Sequence, residues 1–266
     1  MFKDITIGRF IPGDSLIHKL DSRVKTIIII AFLVLVFVAF NFIALGFVAL
    51  LTLFLMKLSG VKIKLYFKSL KMVLLVILLT ALLNLFYATG EPIFKFGFLT
   101  ITMQGIENSL FIAFRIIILI FISCVFTFTT SPNDMTFAIE TLLTPLKVIK
   151  IPVGDIAMMI TIALRFIPTI LEETEKIINA QKARGANLED GNIIKKAKAF
   201  IPILIPLFVS SFRRAYDLAI AMDCRCYQSG QERTRMKVNK LKKLYFIFCF
   251  ATLLAVLGVI LCNVMF

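Results

Sequence analysis

Hydrophobic runs dominate the first 130 residues. Residues 26–56 form one apolar stretch, interrupted by Asn41 and Gly46. A single membrane-crossing helix needs about 20 apolar residues. The run is too long for one span and fits two short ones. Asn41 is a suitable turn residue, so the pattern predicts a helical hairpin, 25–40 and 42–57. Further runs at 72–88, 110–129 and 244–265 each predict one span.

Residues 131–243 follow another pattern. Ser131-Pro132 opens a short helix to about Lys150, bent by Pro145, and Ile151-Pro152-Val153-Gly154 breaks it. From 154 to 184, apolar residues recur at three- and four-residue steps, including Ile156, Met159, Ile160, Ala163, Phe166, Ile167, Ile170 and Leu171. That period predicts a long helix. Gly185 is placed to end it, since glycine readily takes the left-handed conformation after a helix. Leu188-Glu189-Asp190-Gly191 predicts a turn, and a second long helix follows over 192–226. Pro168, Pro202 and Pro206 fall inside these two helices, where proline removes a hydrogen bond and bends the axis. The proline-containing parts, 156–171 and 200–212, are apolar nearly all round, so something must cover them. The chain's own membrane helices, another helix, the bilayer interface and a partner are all open. The ends near Arg184 and Arg225 are polar.

Composition supports a membrane reading. The chain has 266 residues, 59% of them hydrophobic, and a mean hydropathy of +0.94. Soluble domains sit near 45–50% apolar. The net charge of +14 fits cytoplasmic loops better than nucleic-acid binding, because no basic patch is interleaved with stacking aromatics. The N-terminus has no cleavable signal pattern. Lys and Arg number five in residues 1–25, five in 57–71, one in 89–109, eighteen in 130–243 and none after 243. Since basic loops stay inside, this predicts five spans with the N-terminus inside and the C-terminus outside. The stretch 90–105 then lies outside, with Phe94, Phe96 and Phe98 placed to enter the interface. Arg115 falls within an apolar run. It either snorkels or pairs structurally, or else it meets a partner.

The expected architecture is an all-α, polytopic membrane protein. It has a cytoplasmic N-terminal segment (1–24), four transmembrane helices (25–130), a cytoplasmic long-helix coupling domain (131–243) and a fifth span (244–266), about five transmembrane helices in all.

Catalytic chemistry finds little support. Glu172, Glu173 and Glu175 lie on a solvated helix face, and His18 is the only histidine. Cys224-Arg225-Cys226 lacks the about four ligands of a zinc site. Gly8–Ser15 has phosphate-loop spacing, but Asp14 stands where the lysine is required. No internal repeat marks a secondary transporter of the usual two-halved kind, although a stand-alone secondary transporter remains the alternative. The two long helices both end on an arginine, one residue before Gly185 or Cys226. A cation there suits the helix dipole. Arginine is also a planar five-donor fork for carboxylates, and two such ends suggest two plugs for two sockets.

The sequence resembles one family, the T component (EcfT) of energy-coupling factor (ECF) transporters, which are ABC-type micronutrient importers. "IGRFIPGDSLIHKLDSRVK" resembles the family's entry motif, with Ser22 where proline is usual. "TLLTPLKVIKIPVGDIAMMITIALRFIPTILEE" resembles the approach to a coupling helix. "AQKARGANLEDG" carries an Ala-Arg-Gly motif at Ala183, Arg184 and Gly185. "AMDCRCY" stands in the place of the second motif, with Arg225 kept and Cys224 and Cys226 replacing the small residue and the glycine. The resemblance implies a plasma-membrane complex of this chain with two ABC ATPase subunits and a substrate-binding S component. ATP would be bound by the partners and no cofactor by this chain. Residues 183–185 and 224–226 would dock on the ATPases, and the long helices would carry ATP-driven movement to the S component for uptake of a vitamin or transition metal. The choice of substrate would lie with the S component.

Overall fold

The computed structural model describes residues 10–87, 92–96, 99–150, 152–186, 193–230 and 243–265. The expected turn at 188–191 and Phe98 lie outside them, as do the side chains of Phe94 and Phe96. The chain divides into two compact units, one of residues 10–138 with 243–265, the other of residues 139–230.

In the first unit Asp21 caps α1 (Ser22–Val38) by accepting from the Arg23 amide at 3.0 Å. Residues 39–41 turn the chain into α2 (Phe42–Ser59), which ends on Gly60 at φ +67°. The remaining elements of this unit are α3 (Ile63–Tyr87), strands β1 (Pro92–Phe96) and β2 (Leu99–Thr102), α4 (Met103–Thr129), the first part of α5 (Pro132–Leu143), and α8 (Lys243–Met265). The hairpin predicted around Asn41 is present. Helices α3 and α4 begin well before the apolar runs at 72 and 110. Those runs mark only the part able to sit in hydrocarbon, and the helices continue into their polar flanks.

The chain is helical as expected, with one short strand pair between α3 and α4. β1 and β2 pair antiparallel, with Phe94 opposite Ile101 and Phe96 opposite Leu99, and with a register shift between Pro92 and Phe94. The alternation in "PIFKF" and "LTIT" is a period-two signal, masked by its shortness.

Valines and isoleucine from four helices meet in the core: Val36 of α1, Val48 of α2, Ile122 of α4 and Val259 of α8, all fully buried. Gly258 allows α8 to approach α2 closely, since a Cβ there would stand 3.0 Å from the Phe47 ring. Helix α3 packs outside this core along α4. Ser109 Oγ donates to the Ala81 carbonyl at 2.9 Å, and Tyr66 lies edge-on to Phe121 and Phe128.

Polar contacts set the helix directions. Near the start of α1, buried Lys25 donates to the Thr129 carbonyl at the end of α4, at 2.9 Å. At the far end of α1, Arg115 from the first half of α4 donates to the Ala39 carbonyl at 2.6 Å, and Asn263 near the end of α8 donates to the Val38 carbonyl at 2.6 Å. So α1 and α8 run together and α4 runs against them. The contacts also explain Arg115. The last carbonyls of a helix lack intrahelical partners, and in a membrane each unsatisfied group costs several kcal/mol. Arg115 and Asn263 supply the missing donors, and the Arg115 guanidinium also lies 4.6 Å from the centre of the Phe111 ring.

The segment with phosphate-loop spacing is a packed turn where it is described. His18 Nε2 bonds the Ile11 carbonyl at 2.9 Å and Nδ1 meets Ser15 Oγ at 2.6 Å. A carbonyl only accepts, so Nε2 carries the proton. A Cβ on Gly13 would stand 3.1 Å from the His18 ring.

Six described helices are long and apolar enough to cross a membrane: α2, α3, α4, α8 and two from the second unit. With 17 residues, α1 is slightly shorter. The protein is a helical, multi-pass membrane protein.

Candidate functional site

The second unit is built on two helices of 31 residues each, α6 (Val153–Ala183) and α7 (Ile193–Asp223). The short helix expected from Ser131 to Lys150 is two pieces: α5 stops at Leu143, and Thr144–Ile149 forms a 3-10 turn. Pro145 cannot donate a backbone hydrogen bond, and Lys150 takes a positive φ of 62°, so the chain cannot continue as α-helix.

Three contacts fix the pairing of α6 and α7. Gln181, near the end of α6, donates to the Pro202 carbonyl near the start of α7 at 3.4 Å. Arg214 pairs with Glu173 at 3.1 Å. Asp155, in the first turn of α6, accepts from Tyr227 Oη at 3.3 Å, Ser229 Oγ at 2.5 Å and the Gly230 amide at 3.1 Å, all beyond the end of α7. The helices are therefore antiparallel. Arg184 and Arg225 stand at opposite ends of the hairpin, separated by roughly the 46 Å length of a 31-residue helix, less whatever the prolines take up.

The two ends have one geometry. After α6, the Gly185 amide donates to the Lys182 carbonyl at 3.0 Å and the Ala186 amide to the Gln181 carbonyl at 3.0 Å. After α7, the Cys226 amide donates to the Asp223 carbonyl at 2.9 Å and the Tyr227 amide to the Met222 carbonyl at 3.1 Å. Both are Schellman ends, in which the residue after the cap turns left-handed. Gly185 has φ +85° and Cys226 has φ +57°. Arg184 and Arg225 occupy the same cap position. Ala183, Arg184, Gly185, Cys224, Arg225 and Cys226 are all exposed, and among the described residues neither guanidinium has a protein acceptor. Cys226 thus takes the glycine conformation without being glycine. Both motif cysteines are free, and no group of three His, Cys, Asp or Glu side chains comes together among the described residues.

Pro168 lies inside α6, and Pro202 and Pro206 lie inside α7. Pro206 has no amide hydrogen to give the Pro202 carbonyl four residues back. Gln181 of α6 supplies a donor to that carbonyl. Along α7 the face with Ile201, Ile205, Phe208, Phe212 and Tyr216 is exposed, with Phe212 at 71%. No motif marks Asp155 in the sequence. The available signal was an acid in the first turn after Pro152, a favourable place for negative charge.

An up-and-down bundle of apolar helices, joined to a helical hairpin with an arginine cap at each end, defines a multi-pass membrane subunit. The cobalt transport protein family CbiQ matches residues 13–238. Three relatives carry the same description, energy-coupling factor transporter transmembrane protein EcfT. The chain is 47% identical to that of Clostridium kluyveri over 258 residues, 96% of each chain. It is 46% identical to that of Ruminiclostridium cellulolyticum over 237 residues, 89% of each. It is 44% identical to that of Thermosediminibacter oceani over 235 residues, 88% of this chain and 89% of the relative. This chain belongs to the EcfT family of energy-coupling factor transporter transmembrane proteins.

Proposed function

We propose that this chain is the coupling subunit of an ABC-type importer. Two ATPase subunits bind and hydrolyse ATP, the hairpin of α6 and α7 receives their movement, and a substrate-binding membrane S component carries the vitamin or transition metal. The N-terminus and the hairpin unit lie in the cytoplasm. This chain itself holds no nucleotide.

One observation carries the reading: two exposed arginines at the same cap position of two matched helix ends, at opposite extremes of one antiparallel hairpin. Two similar ATPases moving against each other need two similar handles set apart, and a single arginine cluster would not provide them. The uncovered apolar face of α7 supplies a surface for the membrane partner.

The test is pull-down of the ATPases together with uptake, for Arg184→Ala, Arg225→Ala and the pair. Truncating one partner of a buried charged contact at an interface costs about 2–5 kcal/mol, roughly 30- to 5000-fold in affinity. Each single change is expected to weaken one ATPase contact, and the double change to release both ATPases or abolish uptake. Arginines serving only the helix dipole would contribute about 0.3–1 kcal/mol of local stability, and the double variant would assemble and transport as the parent does.

A further inference from the structure

Between α3 and α4, on the outer side of the helix bundle, runs an open groove of about 310 Å³ lined by Ser69, Val73, Ile116, Ile120, Ser123 and Phe128, among others. Two of its three hydroxyls are turned back on their own helices: Ser69 donates to the Leu65 carbonyl at 3.2 Å, and Thr127 donates to that of Ser123 at 2.9 Å. The groove therefore presents an apolar lining to whatever fills it. From Ile116 to Phe128 it follows α4 for about 18 Å at 1.5 Å per residue. One leaflet of the hydrocarbon core is about 15 Å deep, half of the usual 30 Å. The groove is as long as a leaflet is thick.

Its mouth is basic. Lys57, Lys62, Lys64, Lys68 and Lys71 are all exposed at the end of α2 and the start of α3. No acidic residue occurs between Asp21 and Glu91 to neutralise them. Lys68 directly precedes the groove residue Ser69, and Lys62 precedes it by seven residues, roughly two helical turns. Lys64 and Lys71 fall on the far side of α3 from Ser69 and Val73 by their spacing, which leaves Lys62 and Lys68 nearest the groove. Positive loop charge alone explains orientation in the membrane but not a leaflet-deep apolar groove beginning beneath it.

We infer that this groove and its lysines form a binding site for an anionic phospholipid of the leaflet on the lysine side, with one acyl chain along α4 and the headgroup on Lys62 and Lys68. The site rests on the membrane reading of the helices and not on the coupling role.

Native mass spectrometry of the full chain in mild detergent tests it, with phosphatidylglycerol and phosphatidylcholine of equal chain length added together. The parent is expected to retain phosphatidylglycerol preferentially. Lys62→Gln with Lys68→Gln should lower that retention by about fivefold per lysine, while the corresponding Lys→Arg pair keeps it. Ser69→Leu with Ser123→Leu fills the groove and should remove the bound lipid of either headgroup. Val73→Phe, a single change in the lining, does the same should the leucine pair fail to fold. Equal retention of the two lipids overturns the proposal. So does unchanged phosphatidylglycerol retention in the filled-groove variants, which would make the lysines a diffuse surface charge. Loss of a co-purifying membrane protein from those variants, with lipid retention intact, would assign the groove to a protein helix instead.

Discussion

Cys226 carries the sharpest consequence of any single residue. It holds φ +57° in a turn where a side chain costs about 1–2 kcal/mol over glycine. Glycine returns roughly 0.5–1 kcal/mol of that through its freer unfolded chain. Cys226→Gly should therefore stabilise the end of α7 by about 0.5–1 kcal/mol, a two- to fivefold change. The check is hydrogen exchange at the amides of Cys226 and Tyr227, which close this turn and should exchange more slowly. Gly185→Ala should do the reverse at Ala186, since a Cβ at Gly185 meets no neighbour and only the backbone conformation resists. Faster exchange in Cys226→Gly would show that the cysteine makes a contact worth more than the strain. The arginines and Gly185 were readable because an arginine before glycine at the end of an apolar period is a local signal. Asp155 was not, because its donors come from residues 227–230, more than 70 positions away, and no short-range pattern encodes that pairing. Arg115 was visible as a misplaced charge, but its acceptor at Ala39 belongs to another helix.

Among the elements, α7 is the most informative. Its two prolines are four residues apart, so Pro206 orphans the carbonyl of Pro202, and Gln181 reaches across from α6 to that carbonyl. A proline inside a helix costs about 3 kcal/mol or more where a bend is unwanted, so two in succession mark a bend the hairpin uses. Pro202→Ala with Pro206→Ala restores both amides, straightens α7 and removes the need for Gln181. Expression should persist while uptake by the assembled importer falls. Distances between spin labels on either side of residues 202–206 should lengthen. Straightening without loss of uptake would make the bends tolerated and not used. The element boundaries show what a pattern can reveal. Both ends of α6 fall within a residue of the expected 154–184 because a helix breaker stands at each, Pro152 before it and Gly185 after it. The starts of α3 and α4 were misplaced by seven to nine residues, since lysine and glutamine interrupt hydropathy without interrupting a helix.

At the scale of the whole molecule the question is how many times the chain crosses the bilayer. Six described helices qualify by length and composition, and α6 and α7 are among them. Their charges argue against insertion. Arg165 lies in the middle of α6, and Arg213 and Arg214 stand side by side within α7, each costing about 2.5–3.5 kcal/mol at mid-bilayer. Helix direction supplies a second constraint. Since α1 and α8 run together and α4 runs against them, an even number of crossings separates α4 from α8. Either both helices of the hairpin cross or neither does, which excludes six spans built on one of them. Their charges favour neither, which leaves α1, α2, α3, α4 and α8. The charge bias then predicts that the basic segments 57–71 and 130–243 face the cytoplasm. The exposed Cys224 and Cys226 serve as built-in reporters. In intact cells a membrane-impermeant thiol reagent should leave them unmodified, and in inverted vesicles stripped of their ATPase subunits it should label both. Val264, 79% exposed near the end of α8, should show the opposite behaviour as Val264→Cys in a background lacking the five native cysteines. Labelling of Cys224 or Cys226 from outside intact cells would place the hairpin on the wrong side of the membrane for any ATPase, and the coupling role would fall with it.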